Sequence, residues 1–376
     1  MKHHLKLGVA ACGFAALSAF SASSQALPDN MVWTSYDVGS AGYAEASAIA
    51  DAFGKEYGTR VRIQPSGSGV GRLQPLLQGR ADYAFLATEA FFLSEGAYDF
   101  ARPEWGPTPL RTVAGRPASI TLITAADAGI ETVADARGKR IAFVAGNPSV
   151  NVKCEAILAF GGLTLDDVEV ITFPTYSAAM SSMTRNESDA TCTTPTTSQL
   201  YELNESPRGI HYAPLEADNA DGWSKLLKVL PIMGPTDETI AAGLPEGEVA
   251  KMAAYRYPVI TTTADKPADA VYAFTKALDE TFDLYKEGTA TMKRWALEKS
   301  GKPAIDVPFH EGAVRYLKEK GIWTAEDEAW NQARIARLDA LIAAWDEFKP
   351  KNADLSAEAF AEAWMERRAA VVAGLN

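Results

Sequence analysis

The chain has 376 residues, 47% of them hydrophobic, and a formal net charge of −12 at pH 7. That is enough apolar material for two domains of ordinary size, and it argues against a disordered chain. The acidic balance also argues against nucleic acid and anionic membrane surfaces as partners, although a cleft can still present backbone N–H groups and a few arginines to an anion.

The chain opens with Lys2 and Lys6 around a short apolar run at 7–20, followed by small residues ending Ser24-Gln25-Ala26. This is the pattern of a secretory signal peptide over 1–26, cleaved near Ala26, and it places the mature chain in the periplasm. The run is too short to span a hydrocarbon layer of ~30 Å, and no later stretch approaches the roughly 20 apolar residues a span needs. A lipobox reading at Val9-Ala10-Ala11-Cys12 leaves almost no hydrophobic sequence upstream, so Cys12 is expected to leave with the leader.

From residue 32 extended and helical patterns alternate: a strand at 32–36, a helix at 42–57, a strand at 60–64, a helix carrying Leu73, Leu76 and Leu77, and a buried-looking strand at 83–87. This order predicts a mainly parallel sheet with helices on its faces. A long extended segment at 111–124 leads into a second such unit. It comprises a helical turn from 133, a strand at 141–144, a helix at 149–160, a strand at 168–173, a helix reaching about 186 and a strand at 189–192. Two units imply two lobes. The Pro- and Gly-spaced region 231–245 reads as irregular, and 255–262 as a strand returning to the first lobe, so two long strands form a hinge.

Beyond Lys266-Pro267 the pattern is helical, near 268–284, 291–299, 309–320, 325–348 and 356–372. The last helix carries Phe360, Trp364 and Val371 on one face, an ordinary stripe for packing on the first lobe, and the chain is expected to be monomeric. The expected division is a leader at 1–26, a first lobe of 27–118 plus 260–348, a second lobe of 119–259, and a C-terminal helical extension at 349–376.

Ligands in open α/β sheets bind outside the carboxyl ends of the strands, so four loops are candidates. The first, Asp37-Val38-Gly39-Ser40-Ala41-Gly42-Tyr43, offers Gly42, Tyr43 and helix N–H groups, with a plain turn as the alternative. The second, Pro65-Ser66-Gly67-Ser68-Gly69-Val70-Gly71-Arg72, offers Ser66, Ser68 and a cation. Nucleotide binding fails there on spacing, because Arg72 stands where G-x-G-x-x-G needs its third glycine. Arg72 can instead pair with a carboxylate, or simply face solvent.

The third loop supplies Asn147, Pro148, Ser149 and Asn151, as ligand contacts or as helix caps, and the fourth supplies the hydroxyls of Thr193 and Thr194. Thr88 and Glu89 follow a strand end, where a carboxylate also suits a helix start. Cys154 and Cys192 are free to pair after export, two small buried hydrophobes being the alternative. No G-x-S-x-G or H-E-x-x-H occurs, and His211 and His310 lie far apart, so neither an enzyme, a metal nor a cofactor is expected.

With these segments in view, the sequence resembles the TAXI family of TRAP-transporter solute receptors, and more broadly the type II periplasmic binding proteins, over 32–345. The family's Gly-rich then aromatic loop is similar to Gly39-Ser40-Ala41-Gly42-Tyr43, its Q-P-[ST]-G-G-S segment to Gln64-Pro65-Ser66-Gly67-Ser68-Gly69, and its G-x-A-D turn to Gly79-Arg80-Ala81-Asp82. Its L-x-G-K-R-[VI] entry to the second lobe resembles Ala136-Arg137-Gly138-Lys139-Arg140-Ile141, and its H-x-G-A-x-R-[YF]-[YL]-K-E helix resembles the run from His310 to Glu319. The chain departs from the pattern at Gly146-Asn147-Pro148-Ser149-Val150-Asn151 and at Leu86-Ala87-Thr88-Glu89.

The resemblance implies a two-lobed α/β fold of the type II periplasmic binding class with hinge strands and a helical C-terminal extension. It implies a receptor that captures a small carboxylate, such as 2-oxoglutarate or glutamate, for the membrane subunits of a TRAP transporter. Arg116, beside Pro117 in the crossing segment, adds a second cation and turns the expectation toward a dicarboxylate. A sensor-kinase receptor and a periplasmic hydrolase on the same fold are the alternatives.

Overall fold

The computed structural model describes Met1, residues 27–303 and residues 307–375. The expected leader, with Cys12 and the cleavage point at Ala26, lies outside the described residues. No helix among the described residues is long and apolar enough to cross a membrane.

The first lobe is built on β1 (Asn30–Ser35), β2 (Arg60–Pro65) and β3 (Tyr83–Leu86), all parallel. All four residues of β3, Tyr-Ala-Phe-Leu, are buried, as a central strand covered on both faces requires. Between the strands run α1 (Ala41–Tyr57), α2 (Gly69–Leu77) and, after β3, α3 (Glu89–Glu95). Ser40 and Ser68 cap the first two helices, each hydroxyl accepting a backbone N–H at 3.1 Å, from Tyr43 and Gly71. Trp33 of β1 is fully buried, with ring centroids of Phe53, Phe85 and Phe274 each at 5.5 Å.

Two long strands, β4 (Leu110–Ala125) and β10 (Ala250–Thr263), run antiparallel to each other and belong to both lobes. The strand order is β2-β1-β3-β10-β4-β7-β5-β6, in which β5 (Arg140–Val144), β6 (Glu169–Phe173) and β7 (Ala190–Thr193) form the second lobe's parallel core. The pairing of β4 with β10 shifts register between Arg256 and Val259, which kinks the ladder where the chain passes from one lobe to the other. Around the second sheet lie α4 (Pro148–Phe160), α5 (Tyr176–Ser182), α6 (Ser198–Glu205), β8 (Ile210–Tyr212), α7 (Ala220–Val229) and β9 (Gly234–Glu238).

Several elements differ from the sequence expectation. The region 231–245, read as irregular, contains β9, which pairs with β10 from Ala254↔Gly234 to Ala250↔Glu238. An edge strand tolerates Pro235, which is why proline and glycine hid it. The helix expected to reach 186 stops at Ser182 and turns at Asn186, whose φ is 57°. The stretch expected as a helix at 268–284 divides into α8 (Ala268–Glu280) and α9 (Phe282–Tyr285). The one expected at 291–299 is a 3₁₀ turn, Met292–Trp295, followed by α10 (Leu297–Ser300).

The chain ends in α11 (Glu311–Glu319), α12 (Ala325–Lys351) and α13 (Ala357–Ala373). The last two fold back on the first lobe: Trp345 and Trp364 meet edge to face at 4.7 Å, and the Trp364 indole N–H donates to the Gly96 carbonyl at 2.7 Å. Gly106, at φ 88°, lies where any Cβ would strike the Trp345 ring. The buried Glu95 carboxylate accepts both guanidinium donors of Arg337 at 2.7 Å and a further one from Arg368. Trp364→Phe removes the partner of a buried carbonyl and is expected to cost about 1–3 kcal/mol locally. Hydrogen exchange should show it as faster exchange confined to α12, α13 and the loop after α3. The fold class expected from the sequence, two α/β lobes joined by hinge strands with a helical C-terminal extension, is the one observed.

Candidate functional site

The loops at the carboxyl ends of the two sheets face each other, and direct hydrogen bonds hold them together. Gly69 N–H donates to the Gly146 carbonyl at 3.1 Å, the Ser177 hydroxyl to Asp37 at 2.9 Å, and the Ser198 hydroxyl to the Gly39 carbonyl at 2.6 Å. At the centre, Thr88 N–H donates to Ser149 Oγ at 3.2 Å. The lobes are therefore closed, and between them lies a cavity of about 20 Å³, close to the volume one water needs.

Tyr36 and Ala87 of the first lobe line this cavity. Opposite them stand Asn147, Ser149, Lys153, Thr193 and Thr194 of the second lobe, and Tyr255 and Tyr257 reach in from β10. Lys153 is the only charged side chain among the described residues that line it. It sits one helical turn after Ser149 on α4, so the two side chains share a face. Its ammonium donates to Ser149 Oγ at 2.6 Å and to Thr88 Oγ1, in the other lobe, at 3.1 Å. The Tyr255 ring centroid lies 4.5 Å from Nζ, a cation–π contact, and the residue is 1% exposed. The α4 N-terminus adds partial positive charge, with Asn147 Oδ1 accepting from Val150 N–H at 3.3 Å. Burial pushes the hydroxyls of Tyr36, Tyr255 and Tyr257 well above the ordinary tyrosine range, so they stay neutral.

The two arginines expected to hold a ligand are committed elsewhere, and neither lines the cavity. Arg72 pairs with Glu89 at 2.7 Å, donates to the Ser66 carbonyl at 2.9 Å and lies 3.8 Å over the Tyr36 ring. Arg116 makes two bonds to Glu45, from Nε at 2.7 Å and Nη2 at 2.6 Å. Glu45 also accepts from the Trp295 indole at 2.7 Å and the Thr291 hydroxyl at 2.9 Å. The reason is electrostatic: a guanidinium buried at 1% exposure is tolerated only beside a carboxylate, and each has recruited one.

Among the other expected residues, Asn147, Ser149, Thr193 and Thr194 line the cavity, and Thr88 bonds to two of its groups. Gly42 supports it from behind, because a Cβ there would strike the Tyr36 ring and come within 3.0 Å of the Tyr257 hydroxyl. Tyr43, Ser66 and Ser68 serve the first-lobe loops, Ser68 as a helix cap. Pro148 is the first residue of α4, and Asn151 ties α4 to β5 through both polar atoms, at 3.1 Å and 2.9 Å from Val144. Cys154 of α4 and Cys192 of β7 form a disulfide behind the cavity wall.

Burial raises the Glu89 carboxyl, but the Arg72 guanidinium and the nearby Lys153 ammonium outweigh it and hold the group below its ordinary value of 4.5. A depressed folded-state value stabilises the fold above that ordinary value and loses the contribution as the pH falls below it. Thermal unfolding should therefore show the Glu89 contribution intact at neutral pH and lost under acid, a loss absent from Glu89→Gln.

Lys153, Tyr36, Tyr176, Tyr255 and Tyr257 were not expected at the site. A usable signal existed for three of them: Tyr255 and Tyr257 alternate on one strand and so share a face, and Lys153 follows Ser149 by four.

Residues 37–321, more than half of the chain, match the NMT1-like family. The chain belongs to the NMT1-like family. The NMT1-like match takes in both crossing strands and every residue named above as lining the cavity except Tyr36, which immediately precedes it.

Solved structures with which it aligns include a protein from Bordetella bronchiseptica RB50, at 17% identity over 77% of this chain and 89% of that one, with a TM-score of 0.45. Another is an ABC transporter / periplasmic binding protein from Brucella ovis with glutathione bound, at 13% identity over 68% and 69%, TM-score 0.42. A third is the amino acid ABC transporter substrate-binding protein AbpA from Streptococcus pneumoniae bound to L-arginine, at 14% identity over 71% and 96%, TM-score 0.42.

Proposed function

We propose that this NMT1-like chain is an exported solute receptor whose lobes close on a small carboxylate-bearing molecule and present it to the membrane subunits of a transporter, of the TRAP kind that its TAXI-like motifs suggest. The observation that carries this reading is Lys153, a buried ammonium lining the inter-lobe cavity and bonded to Ser149 of its own lobe and Thr88 of the other. A cation at the seam of the two lobes draws an anion to the place where they meet. Desolvating a carboxylate is offset when a cation, hydroxyls and helix N–H groups replace its water. Ser149, Thr193 and Thr194 supply the hydroxyls, and the α4 N-terminus adds its partial positive charge.

Motion about β4 and β10 would open the lobes, breaking the bonds from Gly69 to Gly146 and from Ser177 to Asp37. The ligand shifts this equilibrium by its preference for the closed form, and the closed form is what the membrane subunits would recognise. A thermal-shift screen of small organic acids against their neutral amides tests the reading, with small-angle scattering to follow closure. Stabilisation and compaction by acids alone are expected, and an equal response to the amides would overturn it.

A second reading, a hydrolase, is favoured by the 2.6 Å contact between Lys153 and Ser149, the reach of a base to a nucleophile. Two donors, the ammonium and Thr88 N–H, already occupy the Ser149 oxygen, an arrangement that suits a charged lysine and a positioned acceptor. Turnover of carboxylic esters abolished by Ser149→Ala would establish the hydrolase instead.

A further inference from the structure

We infer that a cleft on the first lobe, between the start of β4, the N-terminus of α11 and the first half of α12, is a second ligand site that takes a small organic anion. It is separate from the inter-lobe cavity and does not depend on what that cavity binds.

The cleft has a volume of about 460 Å³, within the roughly 300–1,000 Å³ of small-molecule sites. Arg111 of β4 lines it, with His310, Glu311 and Val314 around the start of α11 and Gln332 and Ile335 of α12. These elements belong to the first lobe and the helices packed on it, so motion of the lobes leaves the cleft intact. The α12 wall lies beyond the 37–321 span of the family match.

Two donors on this wall lack the partners that burial ordinarily demands. The first is Arg111, half-buried, whose Nη1 donates to the Leu110 carbonyl at 2.9 Å. No carboxylate among the described residues comes within ion-pair distance of it. Asp339 acts on it from farther away, but burial outweighs that help and lowers the guanidinium from its ordinary value. Arg72 and Arg116 show the opposite shift, because Glu89 and Glu45 overcome a deeper burial there. A half-buried cation without such a carboxylate gains most from an anion brought to it.

The second is His310. The residue is 1% exposed, and its Nδ1 accepts the Gly312 N–H at 3.1 Å as the cap of α11. Burial holds the ring below the ordinary histidine range, so at neutral pH its one hydrogen lies on Nε2. The Lys266 carbonyl lies near enough to favour a charged ring, yet Nε2 is buried without a hydrogen-bond partner. Buried polar atoms left this way are uncommon. The Arg111 charge acts on the same ring, so the two donors are close together. An anionic oxygen bound beside Arg111 would serve both, and the α11 N-terminus adds partial positive charge there.

The rest of the wall limits the ligand. Arg315 and Lys318 face carboxylates of their own, Asp269 at 2.7 Å and Glu328 at 3.0 Å. Glu311 is an exposed acid on the wall without an ion pair, so it repels a second negative charge and favours a monoanion. Phe309, Val314 and Ile335 offer apolar surface to a short alkyl body. Because several lining side chains are exposed, solvent screens the charges, and binding is expected to be weaker than between the closed lobes.

Only His211 and His310 lie within residues 27–376, and His211 is on β8 of the second lobe, so imidazole NMR gives one signal for the site and one control. Hexanoate and hexanesulfonate, titrated into the mature chain, should move the His310 signal saturably and leave His211 in place, and the stronger of the two names the head group. Hexanamide should not move it. Arg111→Met should weaken the response at least about tenfold, and Glu311→Gln, at an exposed position, should strengthen it. His310→Asn keeps a capping acceptor and removes the Nε2 donor, so calorimetry should show weaker binding at an unchanged Tm. Lys153→Met should leave the His310 response intact. A His310 signal unmoved by both anions, moved equally by hexanamide, or lost in Lys153→Met would overturn the inference and leave the receptor reading standing.

Discussion

Lys153→Met is expected to weaken binding of a carboxylate ligand by roughly a hundredfold or more, the equivalent of ~3 kcal/mol for losing a buried charged partner. Methionine keeps the length and apolar stem of the side chain, so the Tyr255 face stays covered while the ammonium is lost. The fold should survive, because Glu89 retains the Arg72 guanidinium at 2.7 Å. Calorimetry with a carboxylate that binds the wild-type chain gives the affinity, and unfolding followed in parallel shows that stability is kept. Lys153→Arg should not restore binding, since the larger planar head cannot sit between Ser149 and Thr88 at 2.6 Å and 3.1 Å.

The second large effect is on the fold. Glu45→Ala should destabilise the chain by about 3–5 kcal/mol, because it strands the Arg116 guanidinium at 1% exposure and removes the acceptor of the Trp295 indole and the Thr291 hydroxyl. Denaturant unfolding measures the loss. The double variant Glu45→Ala with Arg116→Met should recover much of it, since removing both charges leaves no unmatched ion to bury. A double variant as unstable as the sum of its parts would show that the pair is not the cause.

These expectations also show how far the sequence could be read. Strand and helix alternation carried the two lobes, because β1, β3 and β5 are dense in apolar residues and β1 and β5 are each followed by a helix with a side-chain cap. The loops bearing Asn147, Ser149, Thr193 and Thr194 were legible for the same reason: strand ends in such sheets converge on one crevice. The arginines were not. Arg72 finds Glu89 across 17 residues and Arg116 finds Glu45 across 71, and no local pattern marks which cation will be neutralised by a distant acid. Lys153 carries no local mark, because a lysine on a helix is ordinarily a solvated side chain, and its bond to Thr88 of the opposite lobe comes from a residue 65 positions away. β9 was hidden by Gly234 and Pro235, which read as breakers and are tolerated on an edge.

The central claim is that the lobes close on a carboxylate held by Lys153, and the most direct test is a crystal structure of the mature chain with its tightest-binding acid. The expected result places a carboxylate oxygen within hydrogen-bond distance of Lys153 Nζ, between the closed lobes and against Tyr255. An acid bound outside the cavity, or bound inside it with its carboxylate turned away from Lys153, would contradict the account.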